Sequence, residues 1–75
     1  MTEVIIRTAD IQLDQFLKLA GAVATGGEVK HLIAEGRLRV NDRLETARRR
    51  KLRIGDRVTL DDGADGKMYQ VAGKG

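Results

Sequence analysis

The apolar pattern of this chain switches from helical to alternating at Gly36, and that change restricts the folds open to it. From Leu13 to Ile33 the pattern is helical. Leu13, Phe16, Leu17 and Ala20 recur at i, i+3, i+4 and i+7, one face of a helix, and Val29, Leu32 and Ile33 mark a second helix. After Gly36, Leu38 and Val40 alternate with Arg37, Arg39 and Asn41, the period of a strand with one buried face. Helix followed by strand in so short a chain predicts an α+β domain rather than a bundle or a sandwich.

Local signals refine the order. Val4-Ile5-Ile6 reads as a first strand, and Asp10 as a helix cap. Gly21 and Gly36 supply the two helix stops. Thr25-Gly26-Gly27-Glu28 has the spacing of a capping box. So few residues separate the two helices that a helical hairpin is expected. Asn41-Asp42 is a hairpin turn with Asp where Gly is commoner, and Leu44 starts the return strand. Ile54-Gly55-Asp56 turns into a strand over Arg57-Val58-Thr59-Leu60, and Met68-Tyr69-Gln70-Val71 forms the last. Asp61 to Gly66 reads as a polar loop, and Ala72 to Gly75 as a frayed tail.

With 75 residues there is room for one domain, which buries only roughly 60% of its unfolded surface. No cysteine is present to add a disulfide or a thiolate metal site, and one Phe and one Tyr leave a mainly aliphatic core. No apolar run approaches the roughly 20 residues of a membrane span. The start, Met1-Thr2-Glu3-Val4, lacks a signal-peptide pattern. These features lead us to expect a soluble, cytoplasmic protein, and a monomer.

Net charge is +3, but its distribution is polar. Residues 37–57 hold nine basic residues against three acidic ones, a net +6, and the rest of the chain carries −3. All nine except Lys51 are arginine, which forks onto phosphate and stacks on bases. Such asymmetry favours a polyanionic partner on one side.

Three features carry this chemistry. The glycines after Thr25 leave backbone N–H groups uncovered at a helix start, where Lys30 and His31 lie one turn on; that end is able to hold a phosphate. Capping alone would also account for Thr25, Gly26, Gly27 and Glu28, and the two roles are compatible. On the alternating strand, burial of Leu38 and Val40 puts Arg37 and Arg39 on an exposed face with no acid before Asp42. A solvated strand face is the plainer alternative. Finally, Arg48, Arg49, Arg50 and Lys51 form four consecutive cations that repel one another and that folding does not require, so phosphate contact is the expectation.

No catalyst emerges. The sequence has no serine, His31 stands alone, and the nucleophiles Thr, Lys and Tyr have no positioned base. Asp61, Asp62 and Asp65 lack the spacing and terminal Glu of a calcium loop, so a solvated turn is expected there. We expect no cofactor. Few aromatics argue against a stacking platform for single strands, which leaves backbone and shape recognition of folded RNA.

The segments Leu13-Asp14-Gln15-Phe16-Leu17-Lys18, Gly21, Thr25 to Ile33, Gly36-Arg37-Leu38-Arg39-Val40-Asn41 and Ile54-Gly55-Asp56-Arg57-Val58 resemble the S4 RNA-binding domain family. The resemblance runs from about Gln12 to Leu60, within a single domain over residues 1–75, and is greatest to the small stand-alone bacterial members. It implies the S4-like (alpha-L) fold: a two-helix hairpin packed on a small antiparallel or mixed sheet of four to five short strands. It implies a non-catalytic protein that binds structured RNA, ribosomal or tRNA-like, with possible association with a ribosomal subunit. By position, the family's RNA-facing residues fall on Lys18, the Thr25 helix start, Lys30, His31, Arg37, Arg39 and Asn41. Many members have arginine before the leucine-aspartate pair and serine-arginine at the second helix start; this chain has Gln12 and Thr25-Gly26. Arg48 to Lys51 are expected to compensate for the two missing cations. The alternatives are a protein-interaction module whose basic face meets an acidic protein, an accessory module delivering RNA to a separate catalyst, and duplex DNA binding.

Overall fold

The computed structural model describes residues 1–61 and 66–74. Strand β1 (Thr2–Ile6) leads to a short β2 (Asp10–Gln12), then α1 (Leu13–Leu19) and α2 (Gly26–Ala34). Strands β3 (Leu38–Val40), β4 (Arg43–Leu44), β5 (Lys51–Arg53), β6 (Arg57–Leu60) and β7 (Lys67–Gly73) follow. Five strands form one mixed sheet in the order β1-β7-β6-β3-β4, and β2 pairs with β5 in a second, two-stranded sheet. The α+β reading and the helix pair are therefore as expected. The sheet is mixed because β1 runs parallel to β7, while the other pairs are antiparallel.

The helical face predicted around Leu13 is the heart of the core. Leu13, Phe16, Leu17 and Val29 are fully buried and meet Leu38, Val40, Val58, Leu60, Tyr69 and Val71 from the sheet, with Leu52 closing the cluster from β5. Each such aliphatic or aromatic side chain contributes about 1.5–3 kcal/mol through burial. The register fixes the faces: Leu38 lies opposite Leu60 and Val40 opposite Val58, all buried. The alternate residues, Leu44, Arg39, Thr59 and Met68, line up across four strands on the outer face, away from the helices.

The turns follow their residue chemistry. Asn41 and Asp42 both adopt positive φ, as a two-residue primed hairpin turn requires, and Asp tolerates that region better than most non-glycine residues. Gly55, at φ +98°, makes the tight turn between β5 and β6.

Three local expectations need correction. Asp10 does not cap α1; it is the first residue of β2 and lies opposite Arg53. Gln12 occupies the cap position without a side-chain cap bond, and the first N–H groups of α1 are instead taken by loop carbonyls, described below. The capping box at Thr25 is not made: the Thr25 hydroxyl makes no cap bond, and Glu28 accepts at 3.3 Å from the N–H of Ala24, one residue before the cap. Ala72 and Gly73 are not frayed, because β7 runs through them alongside Ile5 and Ile6 of β1. The solvated turn expected around Asp62 and Asp65, and the end of the tail at Gly75, fall outside the described residues.

Candidate nucleic-acid interface

Eleven of the thirteen candidate residues came in three groups and two, Lys18 and Asn41, from the family resemblance; the fold distributes them among separate settings. Residues 45–50 carry the three arginines of the basic run, Lys51 opens β5, and the loop is built from the backbone outward. The Arg50 and Arg48 carbonyls accept from the N–H groups of Leu13 and Asp14 at 2.8 and 3.0 Å. Helix N-termini need such acceptors, and here the loop supplies them with main chain, leaving its cationic side chains for other uses. Glu45, the one buried charged residue among those described, faces into the same loop. Its Oε2 accepts from the N–H of Thr46 at 3.0 Å and of Ala47 at 2.9 Å. Its Oε1 lies 3.0 Å from Nη1 of Arg50. Folding thus uses one of the four cations, contrary to the expectation that it requires none. Arg49 and Lys51 are exposed and Arg48 is half-buried.

Arg48 meets helix α2. With Lys30, Ile33 and Thr46 it lines a shallow groove of about 290 Å³ between the helix and the loop. Two cations on separate elements converge there, and the Thr46 hydroxyl adds a hydrogen-bonding group. A phosphate or ribose edge suits this chemistry: two positive charges, one polar hydroxyl and an aliphatic floor.

His31 and Arg37 belong to a different groove, of about 320 Å³, lined also by Ala22, Val23, Glu28, Leu32 and Leu60. Its lining is mainly apolar, and Arg37 is already engaged. Arg37 Nε donates to the Asp61 carbonyl at 2.6 Å, and Nη1 lies 3.5 Å from Glu35. This arginine is half-buried and ties the start of β3 to the end of β6.

Asn41 has a role the sequence did not reveal. Its Oδ1 accepts from the Arg57 N–H at 3.0 Å, and its Nδ2 donates to Asp56 Oδ1 at 3.0 Å. Asp56 Oδ2 accepts in turn from the Arg53 N–H at 2.8 Å. The side-chain amide bonds through both of its ends within the molecule, joining the β3–β4 turn to the β5–β6 turn. Arg39 lies on the outer face of the sheet, opposite Thr59, and is exposed. It is not among the residues that line the groove with Lys30. Lys18 is exposed in the last turn of α1.

The start of α2 is less electropositive than expected. Thr25 and Gly27 are exposed and Gly26 half-buried. A Cβ on Gly26 would lie 4.0 Å from Asp14 Oδ2, so that carboxylate sits against the helix start, and the Glu28 carboxylate is hydrogen-bonded at Ala24. Two carboxylates partly offset the helix dipole there.

Sequence reasoning missed Thr46 as a groove residue and Glu45 as the loop's organiser. The available signal for Glu45 was a lone acid five residues before Arg50; a charge count treated it only as a deduction from the basic total. Among the described residues there is no cluster of three or more metal-ligating side chains, and no helix is long and apolar enough to cross a membrane.

Comparison with known proteins agrees with the α+β fold. Residues 4–71 match the family described as S4 domain. The chain is also similar to the probable ribosome maturation protein RlbA of Bacillus subtilis (strain 168), with 43% identity over 56 residues, which cover 75% of this chain and 79% of that protein.

Proposed function

Since the chain belongs to the S4 domain family, we propose that it is a non-catalytic RNA-binding protein of the cytoplasm, acting as a monomer on structured RNA. Ribosomal RNA, free or within a ribosomal particle, is the substrate class this reading favours, and the similarity to a protein named for ribosome maturation supports it. The observation that carries the proposal is the groove that joins Lys30 of α2 to Arg48 of the basic loop, next to exposed Arg49 and Lys51. These cations sit on separate, hydrogen-bonded elements, so a phosphate backbone meets them without first ordering a flexible tail. Lys18, exposed on α1, and His31, in the neighbouring groove, are further RNA contacts under this reading. Thr25, Gly26 and Gly27 lie at its margin, where Asp14 and Glu28 weaken the attraction for phosphate. Arg37, Arg50 and Asn41 serve mainly to hold the face in shape, and Arg39 stands on the far side of the sheet.

Binding of a fluorescent ribosomal RNA hairpin, titrated from low to high salt, tests the proposal. Affinity should fall steeply as salt rises, because each neutralised phosphate releases counterions. Arg48→Ala/Arg49→Ala should weaken binding to many RNAs alike and lower the salt slope by about two, since phosphate contacts position without reading sequence. This pair spares Arg50 and hence the loop's internal ion pair. A flat salt response would overturn the reading. Capture of an acidic protein that survives nuclease treatment, without RNA binding, would replace it with the protein-interaction alternative.

A further inference from the structure

We infer that Glu45 is a positioning residue for the RNA interface: its buried carboxylate locks the 45–50 loop so that Arg48 faces Lys30 across the groove. The inference rests on the RNA-binding reading above and extends it to an acidic residue, which would ordinarily be assumed to oppose RNA binding.

Three partners converge on this one carboxylate: the N–H groups of Thr46 and Ala47, and the guanidinium of Arg50. The Glu45 side chain is 9% exposed, so these contacts are shielded, whereas the Arg50 side chain is 49% exposed. The backbone N–H of Glu45 donates to the Leu38 carbonyl at 3.0 Å, which fixes the residue to the edge of β3. At the other end of the loop, the Arg48 and Arg50 carbonyls cap α1, and Arg50 N–H closes a turn on the Ala47 carbonyl at 3.1 Å. The loop is therefore held at both ends, with Glu45 anchored at the first and its carboxylate reaching Arg50 at the second. Arg48, Arg49, Arg50 and Lys51 repel one another, and a loop carrying them would spread unless something opposed that repulsion. Glu45 neutralises Arg50 from beneath the loop, on the side away from solvent. Arg48 is thereby kept where it shares the groove with Lys30, Ile33 and Thr46. The carboxylate lowers the total positive charge by one but concentrates what remains.

This makes the sign of one substitution informative. Glu45→Gln removes a negative charge and releases Arg50, so a surface acting by net charge alone would bind RNA more tightly. If Glu45 positions the loop, the same variant should bind a ribosomal RNA hairpin about fivefold to tenfold more weakly at 0.1 M salt. Its salt slope should fall by about one, because the dispersed arginines no longer meet the backbone together. Glu45→Asp keeps the charge and shortens the reach by one methylene, and should give an intermediate loss. Both variants are measured with circular dichroism and urea unfolding beside the wild type, and affinities are compared per folded molecule. Equal or tighter binding by folded Glu45→Gln overturns the positioning role while leaving the RNA-binding reading intact. If only Glu45→Asp folds, wild-type affinity and slope in that variant overturn it equally. Loss of salt-dependent binding in the wild type itself would instead remove the RNA-binding reading, and the inference with it.

Discussion

Two connections in this molecule each close on a carboxylate, and they use it differently. Between β5 and β6, Asp56 accepts from Arg53 N–H and Asn41 Nδ2, and Asn41 Oδ1 accepts from Arg57 N–H, so every one of these atoms is spent inside the fold. Between β4 and β5, Glu45 takes two N–H groups and one guanidinium but leaves Arg48, Arg49 and Lys51 turned to solvent or to the groove. The first connection is scaffold, and the second displays charge on a scaffold. Position in a basic stretch does not separate the two, since residues of both fall between Arg37 and Arg57. Internal satisfaction of polar groups does.

The largest expected effect breaks the first connection. Asp56→Ala removes the acceptor for Arg53 N–H and Asn41 Nδ2, and bonds to a charged partner contribute about 1.5–3 kcal/mol. We expect a loss of about 3 kcal/mol in urea unfolding, with the RNA affinity of the folded fraction unchanged. A fall in affinity at preserved stability would move this junction from scaffold to interface.

The second connection should respond in the opposite way. Lys30→Ala and Arg48→Ala, singly and together, probe the groove they share. The double variant should lose about tenfold in affinity, about 1.4 kcal/mol, with unfolding unchanged to within about 0.5 kcal/mol. If both cations meet one phosphate, the single losses will not add to the double, because residues with a shared partner are coupled. Strict additivity in a binding cycle would mean that they touch separate phosphates.

The scaffold was in part legible from the residues. Leu13, Phe16 and Leu17 keep helical spacing, and Leu38 and Val40 keep strand spacing, because a buried stripe must follow the period of its own element. Asn41-Asp42 and Gly55-Asp56 reveal their turns because few residues adopt positive φ without strain. What escaped was long-range. The pairing of β2 with β5 joins two three-residue strands about forty positions apart, and neither has a pattern that names its partner. Asp10 looked like a cap for the same reason: its partner is Arg53, not the next turn of chain. The site was legible as charge but not as arrangement. Arg37, Arg39 and Arg50 look alike in sequence, yet one ties β3 to β6, one faces out from the far side of the sheet, and one pairs with a buried acid.

Gly55 sharpens the scaffold half of the comparison at a smaller scale. Its φ of +98° is one that an L side chain adopts only with strain, although nothing lies within 4 Å of the space a Cβ would take. Gly55→Ala should therefore cost about 1 kcal/mol through backbone conformation alone, read by thermal or urea unfolding. No change would mean that the turn relaxes to a negative φ, and that the bond from Gly55 N–H to the Val71 carbonyl at 2.8 Å does not constrain it.

The smallest effect is expected at Arg39, and it tests whether the two faces of the sheet are separate. Arg39 lies opposite Leu44 on one side and Thr59 on the other, in a row that continues to Met68. Leu38 and Val40 on either side of it point into the core, so its side chain leaves from the face opposite the helices. RNA seated against Lys30 and Arg48 would have to pass around the short β4 edge to reach it. At that remove an exposed cation acts only through a screened field, because the Debye length is about 10 Å at 0.1 M salt. Arg39→Ala should then lower affinity no more than about twofold at 0.1 M salt, with a salt slope close to that of the wild type. A tenfold loss with a slope reduced by about one would show that bound RNA continues over the β4 edge onto the outer face. The exposed Leu44 beside Arg39 would then be part of the interface rather than an incidental apolar residue.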